Sequence, residues 1–180
     1  GIYLWPKTIS FEAYQNVFKN QDIWLSYANT VLYTVAHTIY VLLLTIPAAY
    51  TLSKKQLPGR VVITWYFFIT MFLSGGLIPS YILNRNLGLV NSRWIMILGM
   101  GIGYSNLIIT RTYFQTSIPN ELQEAAYIDG CNNIRFFLRI VLPNATTIIA
   151  VIGLFYAVDH WLSYWNAMLY ITDETRYPLQ

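Results

Sequence analysis

An all-α, polytopic membrane helix bundle is the fold class the sequence predicts, on three observations. Of the 180 residues 56% are hydrophobic and 11% charged, against about 25% charged in soluble domains, and a soluble fold of this size could not bury that much apolar surface. Uncharged runs of membrane length recur at 23–53, 61–84 and 94–110, and a fourth at 144–170 is broken only by Asp159. The cations sit mostly at the edges of these runs, where they anchor helices in the interface. A net charge of +3 with no basic run beyond Lys54-Lys55 therefore does not point to nucleic acid.

Residues 1–26 mix charges with aromatic residues, and Phe11, Tyr14 and Phe18 recur at helical spacing, which predicts a short amphipathic helix at the membrane surface. Residues 27–52 follow as the first span, long enough for a core of ~30 Å at ~1.5 Å per residue. Pro47 lies near its end as a kink position. His37 inside it is read as a neutral imidazole bonded to another helix in preference to a pathway contact. The turn from Lys54 to Arg60 holds three cations and no acid, which predicts a cytoplasmic loop.

The second span, 61–84, is interrupted by Gly75, Gly76 and Pro79. Broken backbone at membrane depth survives only against protein or a water-filled cavity, so a transport pathway near Ser74 to Ser80 is one reading and close helix packing the other. Residues 85–93 form a short outer loop. The third span, 94–110, is near the lower length limit and carries Gly99, Gly101 and Gly103; Asn106 stands where a dinucleotide fingerprint needs its last glycine. In the fourth span Asp159 lies beside His160 and the aromatic residues Trp161, Tyr164, Trp165 and Tyr170. An intramembrane carboxylate is a functional candidate, but ~22 Å from Asn144 it falls near the outer interface, where anchoring is the competing role.

Between the third and fourth spans lies a polar loop, 117–143, carrying Glu121, Glu124, Asp129, Arg135 and Arg139. Pro119 and Asn120 predict a helix start, the two glutamates suit its positive end, and Gly130 suits a left-handed C-terminal cap. A second helix starts at Asn132 or Asn133, with Ile134, Phe137, Leu138 and Val141 as its apolar side. Leu122, Ala125 and Ala126 share a face of the first helix, and small residues there let another surface approach closely. Cys131, the single cysteine, excludes an internal disulfide and fits no metal spacing.

Glu124-Ala125-Ala126, Asp129-Gly130 after two residues, then Ile140 and Leu142-Pro143 resemble the EAA signature of permease subunits of bacterial type I ABC importers. Leu57-Pro58-Gly59-Arg60 and Leu87-Gly88-Leu89 resemble that family's turns, with Leu57 in place of an aromatic residue. Gly75-Gly76-Leu77-Ile78-Pro79 and residues 151–161 resemble the carbohydrate, maltose-type branch and its aldouronate or polysaccharide-related group. The segment 158–170 resembles the family's W-N-E region but has Leu162 where asparagine follows tryptophan, so no substrate role is carried to that position.

The resemblance implies one transmembrane permease domain over residues 1–180, a fragment with four of six spans, in a bacterial cell membrane. It also implies that the loop is cytoplasmic and forms a coupling helix docked on an ATP-hydrolysing subunit. In that role Glu121 and Glu124 face the ATPase, Ala125 and Ala126 permit close approach, Asp129 caps or bonds the partner, Gly130 makes the turn and Pro143 closes the motif. The implied partners are a dimer of cytoplasmic ATP-binding subunits, a second homologous permease, an extracytoplasmic solute-binding protein and the bilayer. The implied cargo is a sugar or oligosaccharide, with Gly75, Gly76, Pro79, Asp159, Trp161, Tyr164 and Trp165 as pathway candidates. No phosphate-binding loop is present, so ATP and magnesium are expected on the partner and no catalytic residue, cofactor or metal on this chain. Two alternatives are an ion-coupled secondary transporter, whose sign would be an inverted repeat of broken helices, and an intramembrane enzyme using His37, Asp159 and His160.

Overall fold

The computed structural model describes residues 18–179, without the side chains of Asn120 and Glu174; most of the amphipathic segment expected around Phe11 and Tyr14 lies outside them. The described residues are helical, with no strand among them. Asn20 opens the first helix by accepting the Asp22 N–H at 3.0 Å, and Asp22 places a negative charge in the first turn, where the helix dipole favours it. This helix, α1, runs Gln21–Ser53 and continues through Pro47. Among the described residues it is the one helix long and apolar enough to cross a membrane by itself, and two bent helix pairs pass the same test when each is taken together.

The first bent pair is α2, Arg60–Phe72, and α3, Leu77–Asn86, which turn through 113° across the intervening break. Gly76 there has φ 83° and ψ 175°, a region essentially closed to other residues. The sequence expectation of an interrupted second span holds. Neither α2 nor α3 buries any residue: Val62, Tyr66, Phe72 and Ile78 are all exposed.

The expected third span is not one helix. It divides into α4, Arg93–Leu98, and α5, Tyr104–Ser117, because three glycines within five residues each disfavour helix by about 1 kcal/mol relative to alanine. The polar loop folds as α6, Asn120–Ile128, then α7, Asn133–Phe136, a π-helix at Phe137–Val141, and α8, Leu142–Asn144. The helix expected over 144–170 is also interrupted. α9, Thr146–Trp161, turns at Leu162 into α10, Tyr164–Tyr170, and stands at 76° to Asn133–Asn144.

α1 is the central element, packed by α5, α9 and α4; α9 follows it from Tyr27, against Trp161, to Thr45, paired with Tyr156. Gly153 sets the α1–α9 approach, since a Cβ there would lie 3.3 Å from a Leu42 methyl group. One apolar cluster, with Val41, Tyr50, Phe114, Phe136, Ile152 and Ala126, fills the end of the bundle under α6. A smaller one, around Tyr33, Ile95, Met96, Tyr170 and Ile171, fills the other end.

Candidate functional site

The loop helix α6 is shaped by its ends. The residue preceding its first turn is Pro119, extended at φ −60° and ψ 144°, and no side chain caps it; Asn120 is already helical and so is not the cap the sequence suggested. At the other end Gly130 adopts φ 76°. Its N–H donates to the Tyr127 carbonyl at 3.0 Å, and the Cys131 N–H to Ala126 at 2.8 Å. That pair of bonds is the Schellman closure a left-handed glycine permits, so the turn predicted at Gly130 is present.

The exposed side of α6 differs from the expected one. Ala126 is only 7% exposed and packs into the chain's own core, so the Leu122, Ala125 and Ala126 face is divided. Leu122 and Tyr127 are exposed as well, and Glu121, Glu124, Ala125 and Ile128 form one outward helical stripe, spaced i, i+3, i+4 and i+7. Ile128 is 87% exposed, an apolar side chain the sequence reading passed over. Asp129 and Pro143 are also exposed.

A polar chain fastens this helix to the rest. Lys54, just past the end of α1, donates to the Gln123 side-chain carbonyl. The Gln123 amide donates to the Tyr127 hydroxyl at 2.6 Å, and that hydroxyl donates to Asn133. The Lys54 ammonium also lies 4.7 Å from the Tyr50 ring centre, a cation–π arrangement. Burial lowers the Lys54 pKa from the ordinary lysine value. Beyond Asn132, which caps α7 by accepting the Arg135 N–H at 2.8 Å, Phe136 and Val141 are buried whereas Ile134 and Leu138 are exposed. The expected apolar side is therefore corrected. The π-turn shifts the register, and Pro143 has no N–H to give the Arg139 carbonyl in an α-turn; next to it the Asn144 side chain donates to the Ile140 carbonyl at 2.7 Å.

The pathway candidates fall into separate places. A pocket of about 460 Å³ is lined by Ser74, Gly76, Ser80, Met100, His160 and Asn166 among others; Gly75 and Pro79 are exposed beside it. Asp159 is exposed and lines a different, wider pocket of about 850 Å³, with Thr70, Tyr104, Asn106 and Phe155. Trp161 instead packs edge-on against Tyr27 at 6.0 Å, and Tyr164 stacks on Trp165 at 5.2 Å. The aromatic trio and Asp159 do not share one cavity.

Both histidines are structural partners of α4, just before its break from α5. His37 Nδ1 is 2.8 Å from the Ile97 carbonyl, and His160 Nε2 is 2.8 Å from that of Met96. A carbonyl only accepts, so each of those ring nitrogens carries its proton. The rings stack with centres 4.4 Å apart, and Thr34 donates to His160 Nδ1 at 3.4 Å. Across the break the Tyr156 hydroxyl accepts the Gly103 N–H at 3.3 Å and pairs with Thr45 at 2.9 Å. The preferred reading of His37 as a bonded imidazole thus holds, with α4 as the partner. His160 is buried while Asp159 faces away from it into another pocket, so the trio required by an enzyme is not assembled.

At the far end the chain after α10 closes over α1. Asn29 donates to the Thr175 and Tyr177 carbonyls at 2.9 and 3.2 Å, and the Tyr33 hydroxyl to Arg176 at 3.1 Å. Asn91, left-handed at φ 57°, accepts from the Thr172 and Asp173 N–H groups. Hydrogen bonds from the Thr175 hydroxyl and N–H hold the Asp173 carboxyl below its ordinary pKa.

Residues 23–164 match the model of a family described as binding-protein-dependent transport system inner membrane component. Protein LplC of Bacillus subtilis (strain 168) is 40% identical over all of this chain and 61% of its own length. The polygalacturonan/rhamnogalacturonan transport system permease protein YtcP of the same organism is 41% identical over 97% of this chain and 61% of its own. The chain thus spans about three fifths of these relatives. Among solved structures, a bacterial ABC transporter involved in the import of the acidic polysaccharide alginate superposes with a TM-score of 0.91 at 36% identity. That match covers 100% of this chain and 64% of the other.

Proposed function

The chain belongs to the binding-protein-dependent transport system inner membrane component family, and from that premise we propose that it is the translocation subunit of an ATP-driven importer in the bacterial cell membrane, crossing the bilayer several times. Its cargo is a sugar or oligosaccharide; the names of its relatives, which speak of polysaccharide transport and alginate import, support that choice. The single observation that carries the coupling role is the outward stripe of α6, Glu121, Glu124, Ala125 and Ile128. Two acids beside a small residue and a bare isoleucine suit a groove on an ATP-hydrolysing subunit that offers basic groups at its rim and an apolar floor. Ala126 then serves on the inner side, letting α6 lie close on its own bundle, and Gly130 fixes the exit angle.

A second permease, an ATPase pair holding ATP and magnesium, and an extracytoplasmic solute-binding protein complete the proposed assembly. The pocket of Asp159, Tyr104 and Asn106 offers the hydroxyl-seeking groups a sugar path requires. The test is uptake by vesicles containing the assembled transporter. Leaving out the ATPase subunit should abolish uptake, and persistence would sink the reading. Gly130→Val should leave insertion and ATP hydrolysis in place while reducing transport at least about tenfold, since a β-branched residue is strained at φ 76° and the turn must re-form elsewhere. Unchanged transport would show that this turn does not couple the two.

A further inference from the structure

Lys55, Arg60 and Arg111 converge on one pocket of about 460 Å³, whose wall also includes Gly59, Val61 and Trp65. No acid lines it. The ion pair found among the described residues, Arg176 with Asp173, involves none of the three cations. The Arg60 charge acts on Arg111, and Arg111 Nε is sealed from solvent without a hydrogen-bond partner among the described residues. Like charges gathered at a partly dry site, with a donor left unmet, are unfavourable until an anion with several acceptor oxygens enters. The start of α2 adds to this, since Gly59 supplies no side-chain cap.

The rest of the wall says which anion. Val61 and Trp65 are well exposed, on a helix that buries nothing. Guanidinium groups beside an indole and an apolar helix flank form the composition of the bilayer interface, where a phosphate lies at the depth of the cations and acyl chains lie along the helix. We propose that the pocket between the α1–α2 turn and α5 is a headgroup site for one anionic phospholipid, with Arg60 and Arg111 holding the phosphodiester, Lys55 adding charge at the mouth and α2 bearing the chains. Basic pockets between membrane helices recognise acidic headgroups in this way.

The assembled transporter is titrated with phosphatidylglycerol or with phosphatidylcholine of the same chains and followed by native mass spectrometry. Phosphatidylglycerol should be retained preferentially. Lys55→Gln and Arg60→Gln should each weaken retention about fivefold, as expected for one cation near an anionic lipid, while Arg85→Gln, an exposed charge remote from the pocket, should change nothing. Phosphatidylglycerol with brominated chains should quench a fluorescence component that disappears in Trp65→Phe. Retention unaffected by Lys55→Gln and Arg60→Gln, or equal for the two lipids, would overturn the proposal. Displacement of the brominated lipid by inorganic phosphate alone would also overturn it, in favour of a free-anion site.

Discussion

Two glycine breaks interrupt apolar helices in this chain, and they are held in opposite ways. At residues 73–76 the chain turns through 113° between α2 and α3 with no buried residue on either helix, and the local side-chain bonds, Ser80 to the Gly76 carbonyl at 2.8 Å and the Gly76 N–H to Ser74 at 3.3 Å, are exposed. At residues 99–103 the backbone groups freed on both sides are met by buried side chains from other helices: His37 and His160 before the break and Tyr156 after it. In a medium without water every such group needs a partner. The pinned break is therefore a fixed part of the bundle, and the other takes its shape mainly from glycine dihedrals.

Substitutions can break that contrast, and the largest effect is expected at His160. His160→Phe keeps a ring but leaves the Met96 carbonyl and the Thr34 hydroxyl unmet, and should lower stability by about 2–3 kcal/mol in a detergent unfolding titration. A loss below about 0.5 kcal/mol would mean that this bond does not hold the break. Tyr156→Phe removes the bonds to Gly103 and Thr45 and should cost about 1 kcal/mol in the same titration, with faster hydrogen exchange at the Gly103 amide. Ser80→Ala, at the loose break, should stay within about ±0.5 kcal/mol. Were it to match Tyr156→Phe, the two breaks would be equivalently held and the distinction would fail.

Much of this was legible in the sequence because it rests on local rules. The helix ending at Gly130 follows from the one residue free to adopt positive φ, and the cap at Asn132 from its side-chain oxygen. Spans were legible by length only where the helix stayed whole, as in α1. Hydropathy does not distinguish a continuous helix from one divided by three glycines, so residues 94–110 were read as one span. The direction in which Ala126 and Ile128 point depends on where the core lies beneath α6, which the spacing of Leu122, Ala125 and Ala126 leaves open by one step around the helix. The partners of His37, and the roles of Gln123 and Asn91, depend on residues up to 85 positions away. No window of sequence contains both ends of such bonds.

At one end of α1, Asn29, Thr30 and Tyr33 receive the closing segment, with Thr30 accepting the Leu179 N–H at 2.7 Å; just past the other end Lys54 holds α6. Its 33 residues make a rod of about 50 Å loaded at both tips, so a push on the closing segment and a pull on the loop helix act on one rigid body. Torque applied at either tip is carried along that rod, and its stiffness sets how much of it arrives.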